Sequence, residues 1–388
     1  MSTWPSVSLA EISSKPQYGA IAKGRELPAG PLFVRQTDIT GGRIDWATVP
    51  FCDLDAESAK RYSLKRGDLL ISRLGNGVGN AATVSHDRED AVFAGYLVRF
   101  QPNEEKADAR FVGYQLQSKW WRDHVASFRS GAAQPTLNAQ QMGDFRFLLP
   151  PMAEQRAIAA TLGALDDKIE SNRRATAVGE SLIRALVESA LDGSEGADGT
   201  LGDYCRLVKA PVKVEEISAD DNYIGLEHMP RGSIFLTEWE KAEGLGSNKT
   251  AFQRGDVLFG KLRPYFKKVG IAPVNGVCST DILAVRPKDP RDLALIAVVA
   301  ASDALIDSLS AGSTGTRMPR ASWKDLAAWQ VPVLTSTERA ELSDRVAPLV
   351  DRLEQLTFES RRLTALRDAL LPELLSGRIR VPAEGVAA

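Results

Sequence analysis

The stretch Arg66-Gly67-Asp68-Leu69-Leu70 returns further along the chain as Arg254-Gly255-Asp256-Val257-Leu258. A polar turn followed by an apolar run reads as a loop entering a strand. Working outward, residues 34–44 line up with 224–234, Leu9-Ala10-Glu11 with Leu201-Gly202-Asp203, residues 125–131 with 306–312, and Pro150 with Pro332. In chain order the offsets are 192, 190, 188, 181 and 182. Their slow drift is what insertions and deletions in loops produce, so the chain is internally duplicated. The Arg-Gly-Asp tripeptide also occurs in adhesion motifs. A turn before a strand is the better reading here, because residues 1–9 lack the basic-then-apolar pattern of a secretion signal.

Each half follows one plan, mixed α/β in class. A strand is expected over residues 69–74 and again over 257–262. A second strand is expected over 92–100 and 277–285, and a helical stretch over 111–128 and 293–309. A Ser/Gly/Thr-rich loop follows, at 130–138 and 310–320. Each half then ends in a helix of heptad character. Ile158, Leu165, Asn172, Gly179 and Leu186 share one register, and Leu162, Ile169, Thr176, Ile183 and Ala190 the other. In the second helix Leu342, Leu349, Leu356, Leu363 and Leu370 alternate with Val346, Leu353, Ser360, Arg367 and Leu374. Two such seams at matching places favour a pair of helices packed on each other, with Asn172 fixing the register. Thr335 and Glu338 form a capping box ahead of the second helix. Pro348 is expected to kink it or delay its start.

Composition bounds the function. The chain has 388 residues, which suggests more than one domain. The longest apolar run, 293–301, is nine residues, against the roughly twenty needed to span a bilayer. Cys52, Cys205 and Cys278 are few and far apart, which fits a reducing cytoplasm and no disulfide framework. The net charge of -2 and pI near 6.1 argue against a nucleic-acid binder when read globally. Read locally, residues 254–268 hold five cations against Asp256 alone, and residues 60–73 hold five against Asp68 alone.

No catalytic constellation is visible. Gly260-Lys261 is followed by Leu262, so there is no phosphate-binding GxxxxGK[ST] loop. No Asn-Pro-Pro-Tyr-type motif for amino methylation occurs. Glu238-Trp239-Glu240-Lys241 lacks the Pro-Asp companion of a nuclease site. His86, His124 and His228 are not at metal-ligand spacing, so no metal site is expected. DNA-reading candidates are better supplied. Lys261, Arg263, Tyr265, Lys267 and Lys268 combine cations with an aromatic in one short segment, and Arg can pair with a guanine edge. The equivalent segment of the first half offers Arg73, Asn76 and Asn80 among glycines that allow close backbone approach. The polar loops add Gln134, Thr316, Arg317 and Arg320.

The junctions between globular part and long helix resemble one family. Leu149-Pro150-Pro151-Met152-Ala153-Glu154-Gln155-Arg156-Ala157-Ile158, continued by Leu165-Asp166-Asp167-Lys168-Ile169-Glu170-Ser171-Asn172, resembles the first long helix of Type I restriction-modification specificity subunits. Residues 366–377 resemble that family's second long helix and its end. Val331-Pro332-Val333-Leu334 is a poor copy of the first proline lead-in.

The resemblance implies two pseudo-repeated target-recognition domains, residues 1–150 and 193–332. A pair of long antiparallel coiled-coil helices, 151–192 and 333–376, separates them, and a tail covers 377–388. It implies that the chain reads a bipartite site on double-stranded DNA and docks two methyltransferase subunits, joined by motor-nuclease restriction subunits. S-adenosylmethionine would sit on the methyltransferase partners and no cofactor on this chain, which would not be an enzyme. A two-headed DNA reader of another phage-defence system, or a coiled-coil scaffold without DNA, are the alternative readings.

Overall fold

The computed structural model describes residues 4–27, 30–128, 136–194, 197–311 and 320–382. The chain divides into two compact units: Met1–Lys168 with Leu363–Ala388, and Ile169–Arg362.

Unit 1 carries strands β1 (Gln17–Tyr18), β2 (Leu32–Val34), β3 (Leu69–Ser72), β4 (Ala81–Thr83), β5 (Ala91–Phe93) and β6 (Leu97–Phe100), then helices α1 (Ala109–Gln115) and α2 (Lys119–Ser127). Long helix α3 (Met152–Asp192) follows, its residues from Ile169 onward belonging to unit 2. One sheet has the order β1-β6-β3-β4, and β5 pairs with β2 in another. Unit 2 carries β7 (Cys205–Leu207), β8 (Asn222–Ile224), β9 (Val257–Gly260), β10 (Val269–Ile271), β11 (Gly276–Cys278) and β12 (Ile282–Pro287). Helices α4 (Leu293–Ala300), α5 (Asp303–Ala311) and α6 (Ser336–Leu375) follow, the residues of α6 from Leu363 onward belonging to unit 1. Its first sheet has the order β7-β12-β9-β10.

The duplication holds at the level of hydrogen bonding. In unit 1, β3 is flanked by antiparallel β4 and β6, and β5 runs parallel to β2. In unit 2, β9 is flanked by antiparallel β10 and β12, and β11 runs parallel to β8. The repeated Arg-Gly-Asp turn has a structural role in both. Asp68 accepts from the Lys65 amide at 3.0 Å and from Arg99 Nη1 of β6 at 3.0 Å. Asp256 accepts from the Gln253 amide at 2.8 Å and from Arg286 Nε and Nη2 of β12 at 2.7 and 2.8 Å. A carboxylate that closes the turn and satisfies an arginine from the adjacent strand explains why the motif occurs twice.

Three local expectations need correction. Residues 92–100 and 277–285 each form two strands, not one, and the two go to different sheets. The break falls at Ala94-Gly95-Tyr96 in unit 1 and Ser279-Thr280-Asp281 in unit 2. The strands after the Arg-Gly-Asp turns stop at Ser72 and Gly260, short of 74 and 262. Each helical stretch is likewise two helices. Ser118 caps α2 by accepting from the Trp121 amide at 3.2 Å, and α4 ends at Ala300 before α5 begins. Helix α4 is apolar all round because it is buried all round. Among the described residues no single helix is long and apolar enough to cross a membrane.

The long helices pack in opposite directions within each unit. In unit 2, Asn172 is 2% exposed and its Nδ2 donates to Glu359 Oε2 at 2.9 Å and Ser360 Oγ at 3.3 Å. Further along α3, Gly179 faces the earlier Leu353, so closely that a Cβ would lie 2.8 Å from Leu353 Cδ2. In unit 1, Arg367 Nη1 donates to Asp166 Oδ1 at 2.9 Å, and Ile158 and Leu162 share a core with Leu374 and Leu375. Leu165, Ile169, Leu349, Leu363 and Leu370 are half-buried, while Leu353 and Leu356 are buried.

Helix α6 begins directly after its capping box, with the Thr335 amide donating to Glu338 Oε2 at 2.7 Å. The delayed start expected from Pro348 does not occur. That proline and Asp344, whose carbonyl loses its amide partner, both face solvent, so water can replace the lost bond.

The first and last described segments meet in unit 1. Arg380 Nη1 donates to Glu154 Oε1 at 2.6 Å, lies over the Trp4 ring at 4.7 Å, and Trp4 Nε1 donates to Glu154 Oε2 at 3.2 Å.

Candidate nucleic-acid interface

The segment after the central strand β9 holds the two non-glycine residues with positive φ found among the described residues. A 3-10 turn, Pro264–Phe266, is flanked by Arg263 (φ 52°) and Lys267 (φ 50°), both left-handed and neither a glycine. Each such residue costs about 1–2 kcal/mol, a strain that tends to persist where a particular side-chain placement matters. Arg263 and Tyr265 are exposed, and among the described residues neither side chain has a hydrogen-bond partner.

The other cations of this segment are engaged. Lys261 Nζ donates to the Thr280 carbonyl, Lys267 Nζ pairs with Asp303 Oδ1, and Lys268 Nζ donates to the Leu226 carbonyl. Burial, together with nearby Arg231, lowers the pKa of the Lys268 ammonium. Arg231 itself lies 4.0 Å over the Phe266 ring. Arg254, which the charge count groups with these, forms an ion pair with Glu354 of α6. The run of five cations is therefore mostly held internally, with Arg263 and Tyr265 presented outward.

Unit 1 arranges the equivalent rim differently. Arg73 lies over the Tyr18 ring at 5.1 Å, and its Nε is buried without a hydrogen-bond partner among the described residues. Asn76 and Asn80 are exposed around a 3-10 turn, Gly75–Gly77. Both rims are joined by a second segment. Leu74 bridges to Thr136, and Leu262 bridges to Arg320, whose Nη2 donates to Asp281 Oδ1. The structure thus brings Arg320 to the Lys261–Lys268 segment. Gln134, Thr316 and Arg317 lie outside the described residues.

Sequence reading missed Tyr18 and Tyr96, which stand exposed beside Arg73. It also missed Glu180, which ties α3 to unit 2 by accepting from Ser233 Oγ at 2.7 Å and the Ile234 amide at 3.0 Å. Tyr114 does the same for unit 1: its hydroxyl donates to Asp166 Oδ2 at 2.6 Å, and burial pushes its pKa well above the usual phenol value.

One cluster has metal-ligand residue types: Glu227, His228 and Glu240. His228 Nδ1 accepts the Gly225 amide at 2.9 Å, so the neutral ring carries its proton on Nε2, the atom 3.7 Å from Glu240. With Nδ1 occupied as an acceptor, that ring turns an N–H, not a free lone pair, toward the carboxylate, which does not suit a metal ligand. The three cysteines are buried and free, and burial pushes the Cys205 and Cys278 thiols up to about 12, so they stay protonated.

Residues 25–178 match the family model described as the Type I restriction modification DNA specificity domain. Over 195 residues the chain is 26% identical to the Type I restriction enzyme MjaVIII specificity subunit of Methanocaldococcus jannaschii, covering 49% of this chain and 46% of that one. The chain thus matches under half the length of that relative. It is 19% identical to the putative type I restriction enzyme MjaX specificity subunit of the same organism, over 97% of this chain and 94% of that one. Among solved structures it is similar in fold to the Type-I restriction-modification system S subunit from M. genitalium, with TM-score 0.60, 15% identity and 96% of each chain covered. Over residues 25–178 the chain is thus similar to the Type I restriction modification DNA specificity domain, and its fold is similar to that of a Type-I restriction-modification S subunit.

Proposed function

We propose that the chain reads a two-part DNA sequence, one part with each unit, and delivers that reading to methyltransferase subunits docked along its helices. The observation that carries this is the contrast between scaffold and rim. The two units share strand pairing and the Asp–Arg buttress, yet place different side chains on the loops after β3 and β9. A pair of readers needs a common frame and separate reading edges. Arg263 and Tyr265 would read in unit 2, supported by Lys261, Lys267, Lys268 and Arg320; Arg73, Asn76 and Asn80 would read in unit 1.

The chain performs no chemistry in this reading. S-adenosylmethionine and the methylated adenine are handled by the methyltransferase partners, and restriction subunits join the same assembly. Genome-wide mapping of methylated adenine, with and without the gene, tests the proposal. A two-part motif should be methylated only when the gene is present; an unchanged methylation pattern would overturn the reading.

A further inference from the structure

Unit 1 carries an apolar patch that its scaffold does not require. Tyr18, Ile21 and Tyr96 are 42%, 99% and 57% exposed. They converge on one end of the β1-β6-β3-β4 sheet. The Arg73 amide donates to the Tyr96 carbonyl at 3.0 Å, setting the end of β3 beside the start of β6. The Gly95 amide donates to the Ala20 carbonyl at 2.8 Å, and a Cβ on Gly95 would lie 3.7 Å from Ile21 Cγ1. The Tyr18 ring is held under the Arg73 guanidinium, and its hydroxyl accepts the Ala139 amide at 3.2 Å. These backbone bonds bring the three exposed residues to one sheet end, unlike the scattered apolar residues common on surfaces.

The surroundings identify the occupant. Lys23 and Arg61 are exposed, and the Arg61 carbonyl accepts from Gln17 Nε2 at 3.3 Å, next to Tyr18. An apolar centre bordered by cations suits a polyanion whose interior is apolar, which describes bases behind a phosphate backbone. The patch also continues directly into the glycine-rich Arg73–Asn80 segment. Unit 2 lacks it. There the same backbone bond joins the Lys261 amide to the Asp281 carbonyl at 2.8 Å, and Asp281 holds Arg320 where unit 1 has an exposed tyrosine.

We propose that Tyr18, Ile21 and Tyr96 form an apolar nucleobase-contacting surface that helps set sequence preference in the half-site read by unit 1 alone. This inference rests on the DNA-reading proposal above. The base surface has two sources: the C5 methyl of thymine in the major groove, or the face of an unstacked base.

The test uses the full chain assembled with its methyltransferase subunits and duplexes carrying the mapped motif. Ile21→Ser and Tyr96→Ser should each weaken binding roughly five- to tenfold, with discrimination at the other half-site unchanged as an internal check on folding. Replacing thymine by deoxyuridine within the unit 1 half-site weakens binding by the original chain but not by Ile21→Ser if the methyl is the source. If an unstacked base is the source, 2-aminopurine placed in that half-site brightens on binding, and the brightening is lost in the variants. Unchanged affinity in both variants, equal loss at both half-sites, or a loss involving neither thymine methyls nor unstacked bases overturns the inference. In those outcomes the motif is still bound, so the DNA-reading proposal stands; failure of the original assembly to bind any motif brings down both.

Discussion

The sheet end of unit 1 and that of unit 2 are the same backbone with different chemistry. At matching positions, unit 1 places Arg73, Tyr96 and Thr136, and unit 2 places Lys261, Asp281 and Arg320. Beneath these rims the turn carboxylate and its strand arginine are repeated, as Asp68–Arg99 and Asp256–Arg286. The difference teaches where each kind of residue is free to vary. A buried ion pair ties the turn to the adjacent strand, so changing one member leaves a charge stranded. A rim side chain such as Arg263, exposed and without a hydrogen-bond partner among the described residues, has only solvent or a ligand to satisfy.

The comparison breaks most readily at the buttress. Asp68→Ala should cost about 3–5 kcal/mol in denaturant unfolding, since it strands a buried guanidinium; Arg99 is only 8% exposed at its side chain. Asp256→Ala should cost less, because Arg286 is 27% exposed and can rehydrate. Equal losses would mean that burial does not set the difference.

Next in size is the rim of unit 2. Arg263→Ala should weaken recognition of one half-site by roughly 1–3 kcal/mol while leaving stability near that of the original chain. Arg263→Gly should impair binding equally yet raise stability by about 1 kcal/mol, because glycine relieves the left-handed backbone. Loss at both half-sites in a binding titration would recast Arg263 as a phosphate contact.

Lys267→Ala should have a smaller and uniform effect. If its ammonium leaves Asp303 for a phosphate, binding weakens on all sequences and the slope of log affinity against log salt falls by about 1. A slope that does not move would confine Lys267 to its internal ion pair.

The smallest effect separates the units by pH. In unit 1, Asp108 caps α1 by accepting from the Phe111 amide at 2.9 Å. In unit 2, Asp292 precedes α4 without that bond, and burial, partly offset by nearby Arg339, raises its carboxyl to about 6. A carboxyl raised above its unfolded value of 3.8 holds its proton more tightly when folded. Stability therefore declines as pH rises from about 4 through 6, and is regained on acidification. Asp292→Asn should flatten this part of the stability profile measured by thermal unfolding. A profile identical to the original would assign the pH dependence elsewhere.

The duplication and both long helices were legible because they rest on periodicity. The switch of strands between sheets was not. Residues 92–100 read as one apolar run, yet Gly95 lets the chain turn from pairing with β2 to pairing with β3. The corresponding break at Ser279-Thr280-Asp281 was marked only by polar residues. Pro348 does not delay the helix, for a related reason: whether a helix tolerates proline depends on which side faces water, and that is set by packing. The cation run 254–268 also promised more free charge than exists. Asp303 and Glu354, which hold two of those cations, are remote in sequence.

The Trp4–Glu154–Arg380 clasp has a consequence for the order of events during synthesis. Unit 2 is one uninterrupted stretch, Ile169–Arg362, whereas the core of unit 1 joins Leu9 and Ile158 to Leu374 and Leu375. The half of the molecule that leaves the ribosome first is thus the half that closes last. While unit 2 has every segment it needs as soon as Arg362 has emerged, the early segments of unit 1 wait for the end of α6, with part of their apolar core open to chaperones. A stop codon just after residue 362 would therefore spare the later-made unit and cripple the earlier one.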